Sequence, residues 1–227
     1  MSRPRLLDTF SGAGGCSEGY HRAGFDVVGV DKEPHDDYPF ELIVGDAVEI
    51  LSTPFALDFD AIAASPPCPR YSSITPAHTR DSHPDLIPVV RDLLKTWAAR
   101  TGGLYIIENV PGAARVMENP VKVCGSAFGL GVRRHRYFES NTFLIPTECQ
   151  HEAQGRPVGV YGDHPEPQPF LRPNGTRRGL KATSDDHARE VMGIDWMTDW
   201  DDIADAVPPA YTHFLGTQLL DRLETAA

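Results

Sequence analysis

Short apolar segments that alternate with helix-like stretches constrain the fold of this chain more than any other feature. The first 110 residues contain five of them: R-L-L-D-T-F, D-V-V-G-V-D, F-E-L-I-V-G-D, F-D-A-I-A-A-S and L-Y-I-I-E-N-V. Before the fifth segment, a helix is predicted over about residues 84–100, with Pro84 in its first turn and Gly-Gly closing it. This alternation is typical of βα units, so we expect an α/β fold with a doubly wound, mostly parallel sheet.

The composition changes twice along the chain. Residues 142–182 are rich in Pro, Gly, Gln and Arg and show little periodicity, which predicts a small, loop-rich insertion in the α/β frame formed by residues 1–141. Residues 183–227 return to a helical pattern. The last predicted helix carries an apolar residue at every fourth position, namely Tyr211, Leu215, Leu219 and Leu223.

Charge and cysteine content restrict the classes of function. A net charge of −11 argues against a protein that coats nucleic acid non-specifically, since such binding depends on Lys and Arg. No apolar run approaches the roughly 20 residues that span a bilayer, so we expect a cytoplasmic protein with no membrane partner. The four cysteines form no C-x-x-C pair. Cys149, His151 and His164 are too loosely spaced to predict a zinc site, and no metal is expected.

A glycine-rich loop follows the first predicted strand, in D-T-F-S-G-A-G-G-C-S-E-G. Gly12, Gly14 and Gly15 would let a ligand approach the backbone closely, where a doubly wound sheet binds nucleotide-like cofactors. The spacing matches neither the dinucleotide fingerprint nor the P-loop, and a tight turn alone is the alternative. Asp31 and Asp46 end the next two strands, where carboxylates suit the ribose hydroxyls and amine of an adenosine, although either could instead cap a helix.

Four further residues lie at predicted strand ends and could carry chemistry. Cys68 follows the fourth strand in S-P-P-C-P-R, and the two prolines before it fix the backbone as it leaves the sheet. This placement favours an accessible thiol, although free cysteines are also common as buried apolar residues. Glu108 ends the fifth strand, and Arg134 and Arg136 alternate on a further predicted strand, hence on one face.

In their order along the chain, these segments resemble the motifs of the S-adenosylmethionine-dependent cytosine-5 DNA methyltransferases. F-S-G-A-G-G is similar to the first motif, V-D to the second, G-D-A to the third, P-P-C to the catalytic motif, E-N-V to the glutamate motif and R-H-R-Y-F to the R-x-R motif. R-E-V-M-G-I-D and A-V-P-P-A-Y resemble the family's last two segments. The resemblance implies a Rossmann-like methyltransferase fold, S-adenosylmethionine as cofactor, and a compact bacterial or phage-like member of the family.

The same resemblance implies a role for each site residue. Cys68 would attack carbon 6 of cytosine, and Glu108 would bind the edge of the base that carries ring nitrogen 3 and the exocyclic amine. Arg134 and Arg136 would hold the pyrimidine carbonyl and neighbouring phosphates. The residues implied in cofactor binding are Phe10, Gly12, Gly14, Gly15, Asp31, Asp46 and Pro67.

The partner implied is double-stranded DNA, bound by a monomer. Residues 1–141 would form the catalytic and cofactor-binding domain, residues 142–182 the target-recognition module, and residues 183–227 a segment that returns to the catalytic domain. Because the module is much shorter than is usual in the family, we predict that it reads a short site of about two to four base pairs. The predicted DNA contacts are Arg70, Arg80, Arg172, Arg177, Arg178 and Lys181.

Two alternatives remain open from the sequence. A relative with the same fold and motifs methylates transfer RNA, and a short, weakly basic recognition region is compatible with RNA. The second alternative is a methyltransferase-like regulatory subunit without catalytic activity. Such a subunit would need neither the nucleophile Cys68 nor Glu108. The sequence therefore favours methylation of cytosine in DNA.

Overall fold

The computed structural model describes residues 3–168 and 179–226. Its centre is a seven-stranded sheet formed by Arg5–Thr9 (β1), Asp26–Asp31 (β2), Glu41–Val44 (β3), Ala61–Ala64 (β4), Leu104–Asn109 (β5), Val121–Val123 (β6) and Arg136–Ser140 (β7). The strands lie in the order β3-β2-β1-β4-β5-β7-β6. The first five strands are parallel to one another, whereas β7 is antiparallel to β5 and β6. The predicted doubly wound, mostly parallel sheet is confirmed.

The α-helices of the described residues are Gly15–Ala23 (α1), Ala47–Leu51 (α2), Ile87–Thr101 (α3), His151–Gln154 (α4), Asp185–Met192 (α5), Trp200–Asp205 (α6) and Pro209–Ala226 (α7). Short 3-10 helices cover Pro54–Asp58, Arg80–Ser82, Pro111–Ala113 and Gly125–Phe128. α3 begins later than predicted because Pro88, rather than Pro84, takes the first-turn position. Gly102 ends it in the left-handed conformation, with φ of 75°, as the Gly-Gly pair predicts.

Helices cover both faces of the sheet because successive strand residues point to opposite faces. Leu7 and Ile107 lie in a buried cluster with residues of α2 and α3. Their chain neighbours Leu6 and Ile106 lie in a second cluster, on the other face, with residues of α1 and α7. All four side chains are at most 1% exposed, and each such burial stabilises the fold by about 1.5–3 kcal/mol.

Helix α7 packs along α1 and closes the second face of the sheet. The predicted apolar stripe points inward: Leu223 is partly buried, and three residues are fully buried, namely Tyr211, Leu215 and Leu219. The two helices touch at Gly19, where an added Cβ would lie 1.9 Å from Thr212 Oγ1. The same hydroxyl donates a hydrogen bond to the carbonyl of Cys16, 2.8 Å away. Position 19 therefore requires glycine, because any side chain there would collide with α7.

A third apolar cluster joins α5 and α6 to the segment that precedes them. It includes Val132 and Val160, together with residues of both helices. In the described part of residues 142–182, the only regular elements are α4 and an isolated bridge between Gly159 and Lys181. No helix of the described residues combines the length and the hydropathy that crossing a membrane requires.

Candidate active site

The candidate site lies where the strand order of the sheet reverses. β1 and β4 are neighbours there, and Thr9 pairs with Ala64 at their carboxyl ends. The amide of Ser65 then donates to the Thr9 carbonyl at 3.0 Å. The glycine loop after β1 and the S-P-P-C loop after β4 are therefore side by side. Crevices at this position of a doubly wound sheet are the usual place for ligands.

Cys68 is partly exposed, and its backbone is held from two sides. The Asn109 side chain donates to the Pro66 carbonyl at 2.9 Å, which ties the S-P-P-C loop to the end of β5. The Cys68 carbonyl accepts the amides of Tyr71 and Ser72, at 2.8 and 2.9 Å. Asn109 was not predicted as a site residue, although it stands beside the glutamate in E-N-V. Its buried contact orders the loop that presents the thiol.

Glu108 and Arg136 form an ion pair next to this loop. Arg136 Nε lies 3.0 Å from Glu108 Oε1. Glu108 is only 7% exposed, so this ion pair is buried. Burial raises the pKa of Glu108, and the charge of Arg136 opposes this shift. Glu108 therefore retains a proton more readily than an exposed glutamate.

The thiol of Cys68 is held in its protonated form by its surroundings. Burial raises its pKa, and the negative charge of Glu108 raises it further, while Arg136 has the opposite effect. A thiol in this environment would need its surroundings to change before it forms the thiolate, which is the reactive form.

We expect Glu108→Gln to shift the pH dependence of Cys68 alkylation to lower pH. The rate rises with pH as the thiol loses its proton, and the substitution removes the charge that raises the pKa of Cys68. Peptide-resolved mass spectrometry of iodoacetamide labelling between about pH 6 and 10 would measure the midpoint. The unaltered protein, labelled in the same buffers, is the reference. A Cys68 midpoint that stayed or moved upward would contradict the expected coupling.

Arg134 contacts backbone carbonyls rather than Glu108. Its guanidinium donates to Val160 at 2.9 Å and also to the carbonyl of Ala204. Burial and the charge of Arg136 lower the pKa of Arg134 to about 9. The residue has a φ of 31°, in the region that favours glycine. In this arrangement Arg134 connects three segments of the chain, and its contact with a base stays a prediction.

The glycine loop has the features of a nucleoside site. The amide of Gly12 donates to Asp31 Oδ2 at 2.8 Å, so the loop is fixed to the end of β2. An added Cβ at Gly12 would meet no atom within 4 Å, and φ there is 50°. Phe10 has a φ of 59°, a strained conformation of the kind found at ligand sites. The position beside Gly12 is thus open next to the Asp31 carboxylate, and binding of a cofactor there stays a prediction. Pro67 is exposed on the neighbouring loop.

The other predicted cofactor residues have structural contacts of their own. Gly14 precedes α1 with a φ of 91°, and an added Cβ at Gly15 would lie 2.5 Å from the Val207 carbonyl. Asp46 caps α2 through the amides of the next turn and pairs with Lys32 at 2.8 Å. Asp46 thus caps a helix, as the alternative interpretation of the sequence has it. A contact between Asp46 and a cofactor stays a prediction.

The predicted DNA contacts are only partly within the described residues. Arg70 and Arg80 donate to carbonyls of their own loop, at 3.1 and 3.0 Å. Lys181 is buried, with its ammonium group 5.2 Å from the ring centre of Tyr161 and 5.4 Å from that of Trp200. In this conformation Lys181 does not face the surface. Three predicted contacts lie outside the described residues, namely Arg172, Arg177 and Arg178.

One group of side chains in the described residues has the composition of a metal site. It consists of Cys124, His135, Cys149 and His151. Cys149 and His151 were considered from the sequence, whereas Cys124 and His135 were missed because they lie outside residues 142–182. His164, the third residue considered, is not part of the group.

Comparison with solved structures supports the fold. The chain resembles a prophage-encoded E. coli protein assigned as a DNA modification methyltransferase, with 16% identity, a TM-score of 0.63, and coverage of 98% of this chain and 99% of that one. It also resembles the Entamoeba histolytica methyltransferase EhMeth, at 13% identity and a TM-score of 0.59, with 98% and 99% covered. The S. pombe Dnmt2 methyltransferase is 12% identical and gives a TM-score of 0.54, with 97% of this chain and 99% of that one covered. At these identities the likeness concerns the fold.

The family is established by sequence. No curated protein matches the chain. A family model described as C-5 cytosine-specific DNA methylase matches residues 5–122, just over half of the chain. This range contains the glycine loop, Cys68 and Glu108. The chain therefore belongs to the C-5 cytosine-specific DNA methylase family and is a methyltransferase that acts on carbon 5 of cytosine in DNA.

Proposed function

We propose that this enzyme methylates a cytosine flipped out of double-stranded DNA, with Cys68 as its nucleophile and S-adenosylmethionine as its methyl donor. The observation that carries the proposal is the placement of Cys68, Glu108 and Arg136 at one edge of the sheet. The charges of Glu108 and Arg136 both act on the Cys68 thiol. The glycine loop lies next to these residues, on the adjacent strand β1.

Each of the three residues has a distinct task in the proposed mechanism. The Cys68 thiolate adds to carbon 6 of cytosine, which makes carbon 5 nucleophilic. Glu108 supports this addition by giving a hydrogen bond or a proton to ring nitrogen 3, where negative charge develops. Arg136 holds the Glu108 carboxyl group in position through the ion pair between its Nε and Glu108 Oε1, which are 3.0 Å apart. Once carbon 5 carries the methyl group, its proton passes to solvent and the bond between Cys68 and carbon 6 breaks, which releases the thiolate. Any proton that Glu108 gave to ring nitrogen 3 returns to Glu108.

The cofactor would be held by the loop that follows β1. Gly12, Asp31 and Phe10 would hold the adenosine part, because Gly12 leaves open space beside the Asp31 carboxylate. When bound, S-adenosylmethionine supplies a methyl group that carbon 5 can accept. Asp31 would accept hydrogen bonds from the ribose hydroxyls, as acidic residues do at the ends of such strands.

The DNA must present its cytosine outside the base stack. Carbons 5 and 6 are inaccessible within a duplex, and flipping the nucleotide costs a few kcal/mol. The loop of residues 69–83, which begins directly after Cys68, would close over the flipped base. Residues 142–182 would read a short target site as the recognition module, and the enzyme would act as a monomer in the cytoplasm of a bacterial cell or of a phage-infected host.

The test is methyl transfer from labelled S-adenosylmethionine to three substrates, namely duplex DNA, single-stranded DNA and transfer RNA. We expect 5-methylcytosine in duplex DNA, because the family acts on DNA. Bisulfite sequencing of the product would identify the target, and we expect a site of about two to four base pairs.

Different results would contradict different parts of the proposal. Incorporation into transfer RNA alone would overturn the choice of DNA as substrate. Methylation restricted to a long recognition sequence would overturn the assignment of the short module. A purified, folded protein that methylated none of the three substrates would contradict catalysis by this chain.

A further inference from the structure

Four metal-ligating side chains meet next to the candidate active site, on segments that are separate in sequence. Cys124 follows β6, and His135 stands between Arg134 and Arg136 at the start of β7. Cys149 and His151 come from the beginning of the predicted recognition module, the latter as the first residue of α4. One potential ligand atom from each residue lies within 4.8 Å of all the others.

The spacing of these atoms agrees with a tetrahedral zinc centre. Cys124 Sγ lies 3.4 Å from His151 Nε2, and Cys149 Sγ lies 3.5 Å from His135 Nε2. Zinc bonds of about 2.3 Å to sulfur and 2.0–2.1 Å to nitrogen at tetrahedral angles give a sulfur–nitrogen separation of about 3.6 Å. Both cysteine–histidine pairs are therefore spaced as two edges of such a tetrahedron.

A hydroxyl group and a backbone amide support one of the four ligands. The hydroxyl of Ser126 accepts the amide of Gln150 at 2.9 Å, which leaves its own proton available to Cys124 Sγ, 3.0 Å away. Groups that hydrogen-bond to a metal ligand fix its orientation.

We propose that Cys124, His135, Cys149 and His151 bind one zinc ion that fastens the beginning of the recognition module to the catalytic sheet. Four protein ligands close the coordination sphere, so the ion is structural and takes no part in methyl transfer. Binding deprotonates both thiols and releases their protons to solvent. His135 lies between the two arginines of the site, so the zinc also fixes the strand start that carries them.

The experiment measures the number of zinc ions per chain in the intact protein. The protein is produced in zinc-supplemented medium and purified under reducing conditions. Its zinc content is measured by elemental mass spectrometry, and the amount of protein is measured by amino-acid analysis. We expect about one zinc per chain. Cys149→Ser and His151→Ala should each weaken zinc binding by more than about 100-fold, since even groups that only support a ligand typically change affinity by 10–100-fold.

Two matched variants distinguish the site from other thiols and imidazoles. Cys68→Ser removes the other partly exposed cysteine, and His164→Ala removes a nearby histidine whose Nδ1 lies 2.8 Å from the Pro165 carbonyl. Both variants should retain their zinc. Loss of zinc from these two variants, or full retention in Cys149→Ser and His151→Ala, would overturn the assignment.

A second measurement on the unaltered protein avoids dependence on variants that fail to fold. The zinc is removed with a chelator under reducing conditions and replaced by Co²⁺. We expect thiolate-to-cobalt charge-transfer absorption and the intense ligand-field bands of a tetrahedral centre. The proposal would be overturned if the reduced protein bound neither ion stoichiometrically. It would also be overturned if protein purified under reducing conditions still contained a disulfide between Cys124 and Cys149.

Discussion

Cys68→Ser should reduce methyl transfer to duplex DNA by at least about 10³-fold, because a serine hydroxyl does not ionise in the range where a cysteine thiol does. The fold should be unchanged, since Cys68 is partly exposed and only its backbone carbonyl takes part in the hydrogen bonds that order the loop. The measurement is the single-turnover rate with saturating labelled S-adenosylmethionine. DNA containing 5-fluorocytosine should also form a covalent complex with the unaltered enzyme and none with the variant. Fluorine replaces the carbon-5 proton whose loss releases Cys68, so the bond to the enzyme persists.

Cys16→Ser is the matched control for this result. Cys16 lies 3.8 Å from Ser65 Oγ, close to the same loop, but it is buried in α1. Burial raises its pKa well above the usual range, so it is no nucleophile. The variant should keep most of the activity and still form the trapped complex. Substantial methylation by Cys68→Ser would show that another group attacks cytosine.

Glu108→Gln should reduce the rate of methylation by about 10²–10⁴-fold, the usual contribution of a positioned acid or base. A glutamine keeps the shape of the side chain and can give a hydrogen bond, but it cannot supply a proton to the ring. Binding of DNA should change much less than the rate. Single-turnover rates with binding measured in parallel separate the two effects, and equal losses in both would contradict a role in the chemical step.

Glu139→Gln provides a control of the same kind in the same fold. Glu139 is buried on β7, and both of its oxygens pair with Arg91 of α3, at 2.5 and 2.6 Å. Its replacement should lower the free energy of unfolding by about 3–5 kcal/mol, because it leaves the buried Arg91 guanidinium without its charge partner. The rate per folded molecule should be nearly unchanged. The two variants would thus separate a carboxyl group used in catalysis from one used in packing.

Most of the sheet could be predicted from the sequence because four of its parallel strands, β1, β2, β4 and β5, are mostly buried on both faces. Such strands consist largely of apolar residues and, with the edge strand β3, stand out as five short runs bounded by loops. β6 could not be predicted, since its three residues, V-K-V, are too few to show a pattern. The start of α3 was wrong because two prolines, Pro84 and Pro88, compete for the first turn, and propensity alone does not choose between them.

In the candidate site, only those residues could be predicted whose type alone indicates a chemical role. Cys68 and Glu108 stand in short motifs at strand ends, and such positions converge in a parallel sheet. The Asn109 contact with Pro66 depends on the pairing of β4 with β5, which residue types do not reveal. The cysteine–histidine cluster was missed for the same reason, since its ligands come from segments that only the antiparallel strand β7 brings together.

The packing of α7 against α1 has a consequence for how the protein is made. All seven strands precede α7 in the chain, so the sheet can pair while one of its faces still lacks its cover. The 86 residues between the end of β7 and the end of α7 take roughly 4 to 17 seconds to synthesise, at about 5–20 residues per second. During that interval only α1 can cover Leu6 and Ile106 on this face of the sheet. An unfinished chain therefore exposes apolar surface that α7 later buries, and such surface favours aggregation until α7 has been made.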